Sequence, residues 1–278
     1  MELALALLLG LVIGSFLNVC IARLPRKMSV SLPRSHCPSC KNPIPWRDNV
    51  PILSYIMLGG RCRHCKTKIS ARYLIVEAVN GLISVLLYLK FGLSVEWFVY
   101  LIFSGALLVL AVIDVDHRIL PDPITLNGIW IGVLANLYLA PQHPLISSLF
   151  QWAGMNAPNP RLVAFAGSIL GIVVGGGLLW FVGEAYFRLR GVEGMGFGDV
   201  KMMAMVGAFL GAPLTLLTIM LGSLLGSIIG LMFIRMSGKT REYELPFGTF
   251  LALAAIIAVL YGNVLIQLYV NRMFPADL

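Results

Sequence analysis

The sequence predicts an all-α polytopic membrane protein of about eight transmembrane helices, interrupted by one small polar loop domain. Three observations predict it. Hydrophobic residues make up 58% of the 278 and charged residues only 12%, a balance foreign to soluble domains of this size. The apolar residues gather into runs long enough to cross a bilayer. Four of the five cysteines sit together in the one long polar stretch, 23–72.

Taken in order, the first run, 3–22, has no Lys or Arg before it and no small-residue cleavage pattern after it. It reads as a retained anchor, not a cleaved signal. Residues 23–72 form the loop domain. Further runs fall at 73–91, 95–113, 124–140, 162–182, 215–234 and 246–270, and a shorter one, 200–212, follows Asp199 directly. Residues 73–278 thus make the main membrane domain. Within it, 141–160 carries four prolines and no Lys or Arg, and reads as a surface insertion whose Leu149, Phe150 and Trp152 rest on the membrane. Gly167, Gly171 and Gly175, then Gly222, Gly226 and Gly230, recur at every fourth position, a spacing that lets helix backbones approach closely. No internal repeat is read in the chain.

The net charge of +8 does not point to nucleic acid, because its distribution is a topology signal. Eleven of the 21 Lys and Arg lie between Arg23 and Arg72. If the helices alternate, Arg118, Arg188, Arg190, Lys201, Arg235, Lys239 and Arg241 join them on one side, leaving Lys90, Arg161 and Arg272 opposite. Positive charge marks the cytoplasmic side, so the loop is placed in the cytoplasm and both termini outside. The same surplus attracts anionic membrane lipid.

Cys37-Pro38-Ser39-Cys40 and Cys62-Arg63-His64-Cys65 are two Cys-x-x-Cys pairs, each able to present two thiolates from one turn. Together Cys37, Cys40, Cys62 and Cys65 complete a tetrahedral S₄ site. Disulfides do not persist in cytoplasm, so zinc is the expected occupant, with a thiol redox pair the lesser alternative. Some fifty residues make too small a core to stand alone, and the metal supplies the staple. The prediction is a zinc-stapled cytoplasmic loop domain. Four protein ligands leave no position for water, and no His-Glu-x-x-His pattern is present, so a zinc hydrolase is not supported. His36 and His64 are substitute ligands; Cys20 is read as an inert core residue.

Most of the thirteen acidic residues have ordinary places, among them Glu2, Asp48, Glu96, Glu184, Glu193, Glu242, Glu244 and Asp277. Asp114 and Asp199 do not. Asp114 closes the run that ends Val112-Ile113, and Asp116, His117, Arg118, Leu120-Pro121 and Asp122 follow it. Asp199 ends Gly196-Phe197-Gly198-Asp199 and opens the next apolar run on the same side. A carboxylate at a membrane border is costly and marks a functional site by default. Two carboxyls sharing one site do not both ionise readily, so one takes a proton from water while the other donates one to a scissile carbonyl. The competing explanation is a pair of interfacial ion pairs, Asp114 with Arg118 and Asp199 with Lys201. Glu77 is expected to pair with Arg72 or Arg188. Serine-nucleophile and phosphate-loop patterns are missing. A proton-coupled transporter and a non-catalytic assembly factor acting through the loop stay open as rivals.

These residues resemble the bacterial type IV prepilin peptidases, also called leader peptidase/N-methyltransferases, over nearly the whole chain. The resemblance is carried by Gly14-Ser15-Phe16-Leu17-Asn18-Val19, Arg23-Leu24-Pro25, the two cysteine pairs with Ile44-Pro45-Trp46 and Pro51 to Tyr55 between them, Arg72-Tyr73 with Glu77, Ile113-Asp114 through Asp122, and Gly196 to Lys201 with Gly207 and Gly211. It implies an intramembrane aspartic peptidase of the GxGD type, with Asp114 and Asp199 as the pair. It further implies prepilin and pseudopilin substrates, whose basic leader is cut after a glycine on the cytoplasmic face of the inner membrane. The new N-terminal amine is then methylated from S-adenosylmethionine. The family ties methyl transfer to the cysteine loop, and Gly60, just ahead of the second pair, is the candidate residue. Leu74 stands where proline is common, Gly59 where a basic residue is common, and the 141–160 insertion lengthens the distance between the aspartates.

Overall fold

Inside a bilayer every backbone polar group has to be satisfied by the protein itself, which restricts spanning segments here to helices. The computed structural model describes residues 1–155, 158–192, 194–237 and 246–273. Glu193, Lys239, Arg241, Glu242, Glu244 and Asp277, which enter the readings above, lie outside the described residues. Ten α-helices are present among the described residues: α1 Glu2–Arg23, α2 Leu53–Met57, α3 Arg72–Phe91, α4 Val95–His117, α5 Asp122–Leu139, α6 Pro144–Trp152, α7 Pro160–Ile172, α8 Leu178–Arg190, α9 Phe197–Ser237 and α10 Phe247–Met273. Six spans are long and apolar enough to cross a membrane, with α7 and α8 forming one of them through a π-helical turn at Val173–Gly177. The pair α5 and α6, bent by 72°, adds a seventh if taken as one span. The runs 200–212 and 215–234, expected as separate helices, are the two arms of α9. They meet at Gly211, whose φ of 70° and ψ of 172° interrupt the helix. The chain is a multi-pass membrane protein. It divides into two compact units, Met1–Ile113 and Asp114–Leu278.

In the first unit, α1 packs along α3. Lipid tails give apolar helices no reason to leave them, so association rests on close packing and interhelical hydrogen bonds. Both are present. Ser84 Oγ donates to the Ala6 carbonyl at 2.6 Å, Asn80 Nδ2 to Gly10 O at 2.7 Å, and Asn18 Nδ2 to Tyr73 O at 3.0 Å. Trp97 of α4 donates its indole N–H to Ser84 O at 3.0 Å. The loop leaves α1 through Arg23, whose buried guanidinium donates to Ser29 O and Pro33 O at 2.9 and 2.6 Å.

In the second unit, α9 packs against α5, α7 and α10. Its first arm is the most buried segment of the chain: Met202, Met203, Met205, Val206 and Ala208 are within 1% of full burial. Gly171 of α7 and Gly207 of α9 face each other so closely that a β-carbon on either would strike the backbone of the other. Gly171 and Gly175 therefore pack on the first arm of α9. Gly222 and Gly226 instead pack on Leu251 and Phe250 of α10.

The break at Gly211 has a backbone cost that the fold covers. Pro213 brings no amide hydrogen to the Phe209 carbonyl, and the turn at Gly211 takes the usual donor away from Ala208. Asn136 Nδ2 of α5 donates to Ala208 O and Phe209 O at 2.8 and 3.2 Å, and Ser168 Oγ of α7 donates to Ala208 O at 2.9 Å. Irregular backbone at membrane depth persists where protein groups satisfy it in this way. The 141–160 insertion, expected as surface, contains α6 with Leu149 and Trp152 exposed. His143 ahead of it is wedged between Gly167 and Gly211.

Candidate functional site

Asp114 lies in the last turn of α4, one residue beyond the predicted end of its run, and is 6% exposed. Asp199 stands in the first turn of α9, whose approach is set by its own amide donating to Gly196 O at 3.1 Å. The third participant is Gly248 at the start of α10. A β-carbon built on Gly248 would lie 3.0 Å from Asp199 Oδ1 and 3.1 Å from Asp114 Oδ2. Both carboxylates therefore look onto one small volume that is open only because residue 248 has no side chain. Leu120 closes its wall, with Cδ1 at 3.1 Å from the same point and Cβ against Gly198.

The ion pair expected between Asp199 and Lys201 is not what the structure shows. Lys201 pairs with Asp122 and lies 5.4 Å from the Phe197 ring centroid. Asp114 is held by Thr249, whose backbone N–H and hydroxyl both donate to Oδ2, at 2.8 and 3.1 Å. Lys201 is thus engaged away from Asp199. Glu77 also has a partner that the charge pattern did not suggest. Its Oε2 accepts the amide of Ile52 at 2.8 Å. Ile52 has φ of 61°, a rare conformation for a β-branched residue. Glu77 thus holds a strained turn of the loop against α3. Glu184 pairs with Arg188 one turn on, at 2.8 Å.

The cysteine loop is assembled from two copies of one local structure. In the first, Cys37 N donates to Asn42 O at 3.0 Å and Cys37 O accepts from Lys41 N at 2.9 Å. In the second, Cys62 N donates to Thr67 O at 2.9 Å and Cys62 O accepts from Lys66 N at 3.0 Å. Lys41 and Lys66 both turn the chain with positive φ. Each turn points two thiols inward, and the four sulfurs lie within 4.8 Å of one another. Cys37 Sγ is 3.8 Å from Cys65 Sγ, and Cys40 Sγ is 4.0 Å from Cys62 Sγ. Tetrahedral zinc thiolate, with Zn–S near 2.3 Å, has sulfur–sulfur edges of about 3.8 Å, which these two pairs match, so the donor set fits a metal ion with at most a small inward shift of the remaining pairs. Thr67, through its hydroxyl and amide, brings the Cys65 thiol down to about 6, toward the thiolate that metals bind. Arg63 donates twice to Asp48, at 2.7 and 2.6 Å, and holds that carboxyl below its usual range. His36 and His64 are not in the cluster.

Sequence reasoning missed three features here. The repeat Cys-x-x-Cys-Lys-x-x-Ile occurs twice, at 37–44 and 62–69, and was legible in the letters. Gly248 and Thr249 carry no chemistry by residue type and were found only through their neighbours. Gly60, the candidate for methyl transfer, has φ of 64°, and a β-carbon there would meet the Tyr55 ring at 2.9 Å. That gives it a packing reason of its own.

A helical multi-pass protein with two facing carboxylates and a four-thiol loop is the class that fold and site define. Residues 8–91 match the bacterial peptidase A24 N-terminal domain, and residues 101–231 match the type IV leader peptidase family. The chain is 35% identical to the prepilin leader peptidase/N-methyltransferase of Pseudomonas putida, covering 98% of this chain and 93% of that one. The protein of the same name from Pseudomonas aeruginosa is 35% identical over 95% of this chain and 92% of its own. That from Aeromonas salmonicida is 33% identical over 97% and 94%. No solved structure matches the chain. The chain belongs to the type IV leader peptidase family. Membership in a peptidase family sets aside the transporter and assembly-factor readings.

Proposed function

We propose that this protein removes the basic leader from type IV prepilins and pseudopilins at the bacterial inner membrane, with Asp114 and Asp199 as its catalytic pair. The observation that carries the proposal is the volume beside Gly248 that both carboxylates face. A water held between the two carboxylates gives a proton to the ionised one as its oxygen attacks the scissile carbonyl carbon. The protonated carboxyl donates to the carbonyl oxygen. The tetrahedral intermediate collapses as the C–N bond breaks, and the amine leaves with a proton from the pair. No covalent enzyme intermediate is needed. The site works by holding the two groups in place before substrate arrives.

In this reading 1–22 is the anchor, 23–72 a cytoplasmic loop domain that would hold zinc through Cys37, Cys40, Cys62 and Cys65, and 73–278 the peptidase domain. With four thiolate ligands the zinc supplies structure, not chemistry. The loop carries eleven basic residues, which supports its cytoplasmic placement beside anionic lipid and a cut on that face. The names of the relatives support a second activity, methylation of the new N-terminal amine from S-adenosylmethionine. Gly60, the candidate residue for that activity, packs against the Tyr55 ring.

The test uses purified protein, a prepilin and S-adenosylmethionine, read by mass. Loss of the leader followed by one methyl increment is expected. Leader removal by either Asp114→Asn or Asp199→Asn at the unaltered rate would refute the pair.

A further inference from the structure

The two aspartates are not held alike. Asp114 Oδ2 accepts two hydrogen bonds from one residue, Thr249, which lies 135 positions further along the chain. The Asp199 carboxylate has no hydrogen-bond partner among the described residues. Thr249 sits in the first turn of α10, where backbone amides have no partner within the helix. Its N–H is therefore a donor in need of an acceptor, and the neighbouring Gly248 puts no side chain in the way. The hydroxyl is equally committed, because a β-branched side chain in a helix has few χ1 choices. Two donors converging on one oxygen stop the carboxylate from turning about its Cβ–Cγ bond unless both are broken.

We propose that Thr249 is a positioning residue that locks the Asp114 carboxylate in the orientation facing Asp199. Asp199 is then the member of the pair that is free to follow the substrate. This rests on the reading of Asp114 and Asp199 as the catalytic pair. Thr249 touches neither water nor peptide in the reaction; it acts through Asp114. Its hydroxyl supplies one charge-assisted hydrogen bond, and its amide, which survives any side-chain change, supplies the other.

The experiment measures kcat and KM for leader removal by the full-length protein with a purified prepilin. Thr249→Val keeps the shape and the amide but loses the hydroxyl, and kcat is expected to fall about tenfold with KM changed less than about twofold. Thr249→Ser keeps the hydroxyl and is expected to stay within about threefold of the unaltered kcat. Thr249→Ala, which removes the hydroxyl from a position that any strong helix former tolerates, is expected to match Thr249→Val. Unaltered kcat in Thr249→Val or Thr249→Ala overturns the proposal, as does equal impairment of the valine and serine variants. Asp114→Asn in the same series separates the two ideas. If it cleaves normally, the catalytic pair itself is wrong. If it is inactive while Thr249→Val is unaffected, only the positioning role falls.

Discussion

The four-thiol loop and the paired aspartates are built in opposite ways. The loop takes its ligands from two short copies of one turn, and each copy closes on itself with hydrogen bonds spanning four or five residues. The aspartate site takes Asp114 from the end of α4, Asp199 from the start of α9 and its glycine floor from the start of α10. None of the three has any local reason to meet the others. A site made from local turns survives changes elsewhere in the chain, whereas one made from three helix ends depends on the packing of each. The consequences differ in kind. Damage to the loop should stay within the loop, while damage to helix packing should reach the catalytic volume.

The largest effect tests the convergence of the helix ends. Asp114→Asn or Asp199→Asn should lower leader cleavage by a thousandfold or more, on the order of what general acid–base groups contribute, while helical circular dichroism stays unchanged. Gly248→Ala comes next. Its added carbon would sit against both carboxylate oxygens, and displacing either by about 1 Å should cost roughly a hundredfold in kcat. If Gly248→Ala cleaves normally, the two carboxylates do not share that volume in the working enzyme.

Cys37→Ser probes the other side of the comparison. It should release about one equivalent of metal and open residues 24–71 to limited proteolysis, with the helices of the second unit still protected. Protection of the loop without metal would show that the paired turns fold on their own hydrogen bonds. The smallest expected change is Asn136→Leu, which strips a donor from the Ala208 and Phe209 carbonyls. Ser168 still donates to Ala208 O, so the loss is that of buried hydrogen bonds, about 0.5–1.5 kcal/mol each, seen as a lower Tm in detergent. Because the first arm of α9 carries Asp199, cleavage should weaken with it. A Tm loss with no change in cleavage would mean that the arm is held well enough by Gly171 and Gly207.

Much of this was readable beforehand for a physical reason. A bilayer imposes long apolar runs, and those runs stand in the letters, so α1, α3, α4 and α10 fall within a few residues of their predicted places. The cysteines could be grouped because metal geometry demands pairs from single turns. The repeat around them was equally legible and was passed over because it is only eight residues long. The bond from the Ile52 amide to Glu77 was not legible, because charge suggests only an arginine partner while a buried carboxylate takes any good donor. Asn136 and Ser168 were passed over as ordinary polar residues inside apolar helices. Their role exists only because Gly211 and Pro213 break a helix further along the chain.

By itself the sequence determined that this chain lives in a membrane, that four thiols gather in one polar loop, and that two aspartates stand at helix ends. Each of these follows from composition or from spacing within a single segment. Only the tertiary structure decided which groups complete the site. Gly248 and Thr249 are an unremarkable pair of letters until α10 delivers them to Asp114 and Asp199. Convergence of distant helix ends is set by packing along their whole length, a property that no local pattern records.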